Sequence, residues 1–289
     1  MFFLPLFDDN PTGRWPLVTW ALMAACIAVF FIQVSMTEFQ QIALWFEYGA
    51  VPAVIMGSAS LPPSLEGLPP ALTLISYVFL HGGWLHIAGN MLFLWIFGDN
   101  VEDRMGTIRF TIFYLICGAA ASLSHVLISP DSTAPLIGAS GAIAGVMAAY
   151  LLMFPRAKVR VIMVILIFIR WVHLPAFVVL ISWLLLQIFA APSSLSVEGG
   201  TAYFAHLGGF IAGLVLTPIF RKAGTPLWPK AETPPSWEIE PVPARQVKTE
   251  FIERYRRKKR VMVPDVKSNT PSQDKSNNPN NPWQRDKRE

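Results

Sequence analysis

Four stretches of the chain run for about the thickness of a bilayer without a Lys, Arg, Asp or Glu: Trp15 to Val34, Thr111 to Ile128, Leu136 to Phe154 and Ala202 to Phe220. Each is close to the ~20 residues an α-helix needs to cross the hydrocarbon core, so each predicts a spanning helix. Two further segments are less regular. Trp84 to Gly98 is short before it reaches Asp99, and Val159 to Ala191 is too long for one crossing, with Arg170 and Pro175 inside it. The longer one reads as an apolar connecting segment over about 159–170, followed by one helix from about Trp171 to Ala190. The expected fold is an all-α membrane protein of six spanning helices.

The connections between these segments set an orientation. Those at 36–71, 129–135 and 192–201 contain no Lys or Arg, whereas 99–110 holds Arg104 and Arg109, and 155–160 holds Arg156, Lys158 and Arg160. Basic residues in short loops stay on the cytoplasmic side. The alternation therefore predicts a multi-pass protein with both termini in the cytoplasm. Short loops and a compact bundle further suggest a bacterial inner membrane. The first apolar run exceeds the ~7–15 residues of a signal-peptide core and follows a single base, Arg14, so it is read as a span. The expected domains are a cytoplasmic N-terminus at 1–14, the helical domain at 15–220 and a basic tail at 221–289.

Composition agrees, with 53% hydrophobic and 15% charged residues against roughly a quarter charged in soluble domains. The tail carries 16 Lys or Arg against 9 Asp or Glu, so the net positive charge of the chain is located there. Its Pro, Asn, Ser and charge cannot bury enough apolar surface to fold alone, which predicts disorder. Within it Arg254 and the run 256–260 lie beside Phe251, Ile252 and Tyr255. That cluster reads either as a solvated charge run or as a contact to anionic lipid, worth about 1 kcal/mol per base. Nucleic acid is the poorest partner for so short a cluster tethered at a membrane. The two cysteines, Cys26 and Cys117, lie inside predicted helices and support neither a disulfide framework nor a metal cluster.

A polar side chain in a spanning helix is costly and by default faces the bundle interior as part of a working site. His86 and Asn90 lie one to two turns into the second predicted helix, Ser140 about one turn into the fourth and His206 about one turn into the sixth. All three helices begin at the same face, so these groups share a layer ~5–10 Å below it. Gly141 and Gly145, and likewise Gly209 and Gly213, have the spacing of small-residue faces that let helices pack closely. Two such faces in contact would bring Ser140 and His206 within hydrogen-bond reach. A serine hydroxyl becomes a competent nucleophile when a neutral imidazole takes its proton. No spanning segment offers an Asp or Glu to orient the imidazole, so a dyad is expected, with His206 held by packing. His86 and Asn90, four apart on one helix face, are suitable oxyanion donors together with the Ser140 backbone N–H.

These residues resemble the rhomboid intramembrane serine proteases over about residues 15–220. The resemblance rests on the segment from His81 to Asn90, HGGWLHIAGN, and on VEDRMG from Val101 to Gly106. Gly138-Ala139-Ser140-Gly141 and Ala205-His206-Leu207-Gly208-Gly209 complete it. It implies a six-span, bacterial-type protease without cofactor or metal, in which Ser140 is the nucleophile and His206 the general base and then acid. His86 and Asn90 would stabilise the oxyanion, with His81, Gly138, Gly141 and Gly209 supporting the site. Substrates would be single-span membrane proteins that enter past the fifth helix and the 192–201 loop, and are cut within or near the outer leaflet of the lipid bilayer. Some members carry an aromatic-Arg pair in the first outer loop, where this chain has Trp45, Phe46 and Tyr48 but no Arg.

Blander readings stand beside these. His81 fits an interfacial histidine bonded to water equally well. His125 and His173 lack polar companions at helical spacing, and Glu102 with Arg104 looks like a structural turn after the second helix. Three histidines could collect zinc in principle, but HExxH and a nearby carboxylate are missing. A rhomboid-like protein that binds membrane helices without cutting them is the first rival. A transporter is the second, and the apolar inner halves of the fourth and sixth helices speak against it.

Overall fold

The computed structural model describes residues 2–65, 67–165, 168–192 and 201–229. The tail with its 254–260 cluster and most of the 192–201 connection lie outside the described residues. In chain order the elements are strand β1 (Phe2–Asp8), helices α1 (Leu17–Ser35), α2 (Glu38–Tyr48), α3 (Pro52–Ile55) and α4 (Pro70–Ser76), and a 3-10 turn at Tyr77–Phe79. Then come α5 (Trp84–Met105), α6 (Thr107–Ile128), α7 (Ser140–Met153), strands β2 (Lys158–Ile165) and β3 (Phe168–Pro175), α8 (Ala176–Ala190) and α9 (Tyr203–Phe220).

The protein is a mostly helical membrane protein. Among the described residues, α1, α6 and α9 are long and apolar enough to cross a bilayer, and α4 with its turn and α5 form a fourth candidate bent by 85°. The apolar helices α7 and α8 have 14 and 15 residues. At a rise of ~1.5 Å per residue each is about 21–23 Å long, short of a ~30 Å core. The fourth predicted segment is short as a helix because residues 129–139 are a non-helical loop whose end, from Leu136 to Ala139, enters the bundle. Leu136 and Ala50 exchange backbone hydrogen bonds of 2.8 and 3.0 Å, and the Gly138 N–H donates to the Tyr77 carbonyl at 2.9 Å. The helix therefore starts at Ser140 itself, not a turn before it.

A three-stranded antiparallel sheet, ordered β1-β2-β3, departs from the all-helical expectation. The segment expected to connect at 159–170 and then turn helical at Trp171 is instead a hairpin, and α8 starts only after Pro175. Its β-branched residues explain the outcome. Along β2, Val159 and Val161 are fully buried while Lys158 and Arg160 are not, the period of two that a strand imposes. The N-terminal residues join as β1, and Asp9 beyond it faces Arg160 at 3.0 Å and His173 Nε2 at 3.7 Å. His173 thus sits on a strand with a polar companion, not on a helix without one.

The connection expected at 99–110 shrinks to Gly106, at φ +84, between the end of α5 and the start of α6. Glycine takes that conformation without the steric cost a Cβ brings. Glu102 lies inside α5 and is only 3% exposed. It accepts hydrogen bonds from the Val18 and Thr19 N–H groups and from the Thr19 hydroxyl at 2.8–3.0 Å. Those are orphan donors at the N-terminus of α1, where Pro16 supplies no side-chain cap.

The helices that meet at the centre do so through bare backbone. A Cβ on Gly209 would run into the Gly141 carbonyl oxygen, and one on Gly213 into that of Gly145. A Cβ on Gly145 would lie 2.6 Å from Cys117 of α6, and one on Gly141 2.5 Å from Ala121. The α7 and α9 small-residue faces therefore touch each other and α6, which fixes the depth at which the first residues of α7 and α9 face each other.

Candidate active site

Ser140 is the first residue of α7, and no side chain caps that helix. The N–H groups of its first turn have no partner within the helix and aim their positive end at the entering loop. His206 lies in the first turn of α9. The α7–α9 contact at Gly141 and Gly209 brings the two side chains together, with His206 Nε2 2.7 Å from Ser140 Oγ. Both residues are half-buried. For the serine hydroxyl to donate, Nε2 must present its lone pair, so a neutral ring carries its hydrogen on Nδ1.

Nδ1 lies 2.7 Å from Oε1 of Gln187, a buried residue of α8. The side-chain amide oxygen accepts the hydrogen that the tautomer places there. Packing adds to this: the Trp183 ring lies 5.9 Å from the imidazole at 38°, and Tyr203 meets it edge-on at 6.3 Å. The expectation that packing alone holds His206 is therefore corrected by a hydrogen bond. The signal was in the sequence, because Gln187 is a polar residue within a spanning segment and meets the rule that marked Asn90.

His86 and Asn90 lie on the side of the entering loop. The Gly82 N–H donates to His86 Nδ1 at 3.3 Å, so neutral His86 carries its hydrogen on Nε2. That nitrogen reaches the backbone at Gly138, where a Cβ would stand 2.6 Å from it, and Asn90 Nδ2 would stand 3.6 Å away. Gly138, at φ +117, is the one residue type that fits both the conformation and the space. Asn90 is 6% exposed, and its Nδ2 has no hydrogen-bond partner among the described residues. A buried amide donor without an acceptor costs roughly 1–3 kcal/mol, an arrangement suited to an acceptor that arrives later.

His81 is a step removed. Its ring packs edge-on against His86 at 5.3 Å, and its backbone is clamped by Gln33 of α1 through bonds of 3.0 and 3.1 Å. It backs His86 and does not reach Ser140. His125 lies on α6 with a buried Nδ1 that has no hydrogen-bond partner among the described residues. The first loop, lacking Arg, is anchored otherwise: Ala53 N–H donates to Ser132 O at 3.0 Å, Leu68 N–H to Glu47 O at 3.0 Å and Ser76 Oγ to Tyr48 O at 2.6 Å.

Comparison with known proteins places the chain among relatives. A Rhomboid domain family model matches residues 70–223, a little over half of the chain. RHOMBOID-like protein 4 of Arabidopsis thaliana is 36% identical over 143 residues, 50% of this chain and 32% of the relative. Rhomboid protein 1, mitochondrial, of Saccharomyces cerevisiae is 31% identical over 156 residues, 53% of this chain and 42% of the relative. Rhomboid protease GluP of Bacillus subtilis is 41% identical over 78 residues, 27% of this chain and 15% of the relative. The chain spans about a third of the Arabidopsis relative and less than half of the yeast one. Plants, yeast and bacteria all contribute relatives, so the similarity does not single out a bacterial type. The matched region runs from α4 through α9 and contains Ser140 and His206, and the chain belongs to the rhomboid family.

Proposed function

We propose that the chain is an intramembrane serine endopeptidase that cuts single-span membrane proteins with Ser140 and His206. The observation that carries the reading is the 2.7 Å approach of His206 Nε2 to Ser140 Oγ at the open N-terminus of a short helix. In the first step Oγ bonds to the carbonyl carbon of the substrate peptide while Nε2 takes the hydroxyl proton. The oxyanion is met by the N–H groups at the start of α7, by Asn90 Nδ2 and by His86 Nε2–H. The proton then passes from Nε2 to the departing amine, leaving an acyl-serine. Water attacks that ester with His206 again as base, and the serine hydroxyl is restored.

A hydroxyl sunk below the membrane surface needs water from one side only, and α7, short as a helix, begins at Ser140 after the non-helical 129–139 loop. We assign that side to the outer face, with both termini cytoplasmic, from the loop charges. Six crossings follow if α7 and α8, short as helices, each count as a span. The relatives carry chloroplastic, mitochondrial and bacterial names, which lends no weight to a bacterial inner membrane in particular.

The test is a single-span reporter reconstituted in liposomes with the full chain. Cleavage by the wild type that disappears in both Ser140→Ala and His206→Ala supports the reading. A wild type that binds the reporter and leaves it whole would make the chain a helix-binding relative instead.

A further inference from the structure

Gln187 is an anomaly on its own helix. Its neighbours Leu185, Leu186, Ile188 and Phe189 are exposed apolar side chains, as a lipid-facing surface requires, while Gln187 is buried. The other residues that α8 buries, Ala176, Val179 and Leu180, all fall within its first five positions. Over the last ten residues Gln187 turns inward onto His206, the Trp183 ring lies against His206 and Phe210, and Leu184 packs on the core. An amide buried in apolar surroundings costs free energy unless its hydrogen-bonding groups are satisfied, and His206 Nδ1 satisfies its oxygen.

We infer that Gln187 is the positioning residue of the site: through its Oε1···Nδ1 contact it holds His206 in the tautomer that leaves Nε2 free to accept the Ser140 proton. This rests on the protease reading and adds a third member to the relay, supplied by a helix other than those carrying nucleophile and base. A glutamine can fill this place where an aspartate cannot easily be buried, because a neutral amide accepts the Nδ1 hydrogen without bringing a charge into the bundle. No proton moves to Gln187 in any step; it accepts the same hydrogen bond before and after Nε2 is protonated. Because α8 supplies it, the base is correctly set only while α8 is seated.

The experiment uses the full chain in detergent micelles, with cleavage kinetics against pH and nitrogen NMR of 15N-labelled histidine. Wild-type His206 at pH 8 is expected to show a protonated Nδ1 and a bare Nε2. In Gln187→Leu, which suits the apolar helix and preserves its fold, the two tautomers mix. Its kcat falls about 10- to 100-fold, within the range that general-base catalysis supplies, while KM holds. Gln187→Glu keeps the acceptor and rescues turnover, and its added charge moves the acid limb of the pH profile up by about one unit. A wild-type ring bearing its hydrogen on Nε2, a Gln187→Leu protein with unchanged kcat, or an unmoved acid limb in Gln187→Glu would overturn the inference. The spectrum is read with or without turnover. A wild type that cuts nothing would therefore refute the protease reading separately, and the tautomer would still decide Gln187.

Discussion

Two helices flank His206 and are built in opposite ways. α7, which supplies Ser140, is buried along nearly its whole length, from Gly141 to Leu151 without a break, and meets α9 backbone against backbone. α8, which supplies Gln187, is buried at four of its fifteen residues and exposes Leu186 at 60% and Phe189 at 79%. The proposed nucleophile, Ser140, is therefore held by close-packed main chain, which has almost no freedom to shift. The end of α8 that carries Gln187 is more exposed, and turns inward through Gln187 on His206, the Trp183 ring and Leu184. A hydrolase inside a membrane has to fix its reacting atoms and also admit a substrate helix. On the proposed reading, the difference between α7 and α8 divides those tasks between separate elements.

The largest effect should come from the tight side. Gly209→Val places side-chain carbons where the Gly141 carbonyl oxygen stands. It should cost about 3 kcal/mol or more, the upper end of overpacking penalties, and be seen as loss of folded protein in a detergent melt. A variant that melts like the wild type would mean the α7–α9 contact is soft. Next comes Asn90→Ala, beside the loop that feeds α7. It should lower kcat about 10²- to 10³-fold with KM little changed, as the loss of an oxyanion donor does. A rise in KM at constant kcat would assign Asn90 to substrate binding.

The far end of α7 offers a gentler probe. The Tyr150 hydroxyl donates to Asp8 at 2.6 Å and Asn100 Nδ2 to the same oxygen at 2.9 Å, tying the sheet to α7 and α5. Burial pushes the Asp8 carboxyl up to about 6, against the lowering effect of the Tyr150 bond. The folded state thus holds that proton more tightly than the unfolded chain. Its contribution to stability is full below about pH 4 and is lost as pH rises to about 6. Asp8→Asn should flatten that part of the melting temperature against pH; an unchanged slope would show that Asp8 is solvated. The smallest effect is expected on α8, where Leu186→Ala should shift stability by no more than about 0.5 kcal/mol, as exposed positions do. A loss of 2 kcal/mol or more would show that α8 is packed as firmly as α7.

What could be read from the sequence follows the range of the interactions involved. Long apolar runs locate α1, α6 and α9 to within a few residues, because lipid imposes that pattern locally. The four polar residues drawn to one layer were visible because each is isolated in such a run. The sheet was not, since β1 pairs with a segment about 150 residues away and neither half signals its partner. The charged residues around Glu102 looked like a loop because their use, capping α1, is also long-range. Ser140 stands at the start of its helix and not a turn inside it, because nothing local to 129–139 says that Tyr77 and Ala50 will hold that loop out of the helix. Gln187 differs from all of these: it is, like Asn90, a polar residue inside an apolar run, and its signal is just as local.

Activation of the Ser140 hydroxyl by His206 can be read without a substrate, by covalent labelling. The rate at which a fluorophosphonate modifies the full chain in detergent should fall by about 10³-fold or more in His206→Ala, within the effect of removing a general base. Mass spectrometry of the labelled wild type should find the adduct on Ser140. A His206→Ala protein that labels at the wild-type rate, or an adduct on another residue, would contradict that activation.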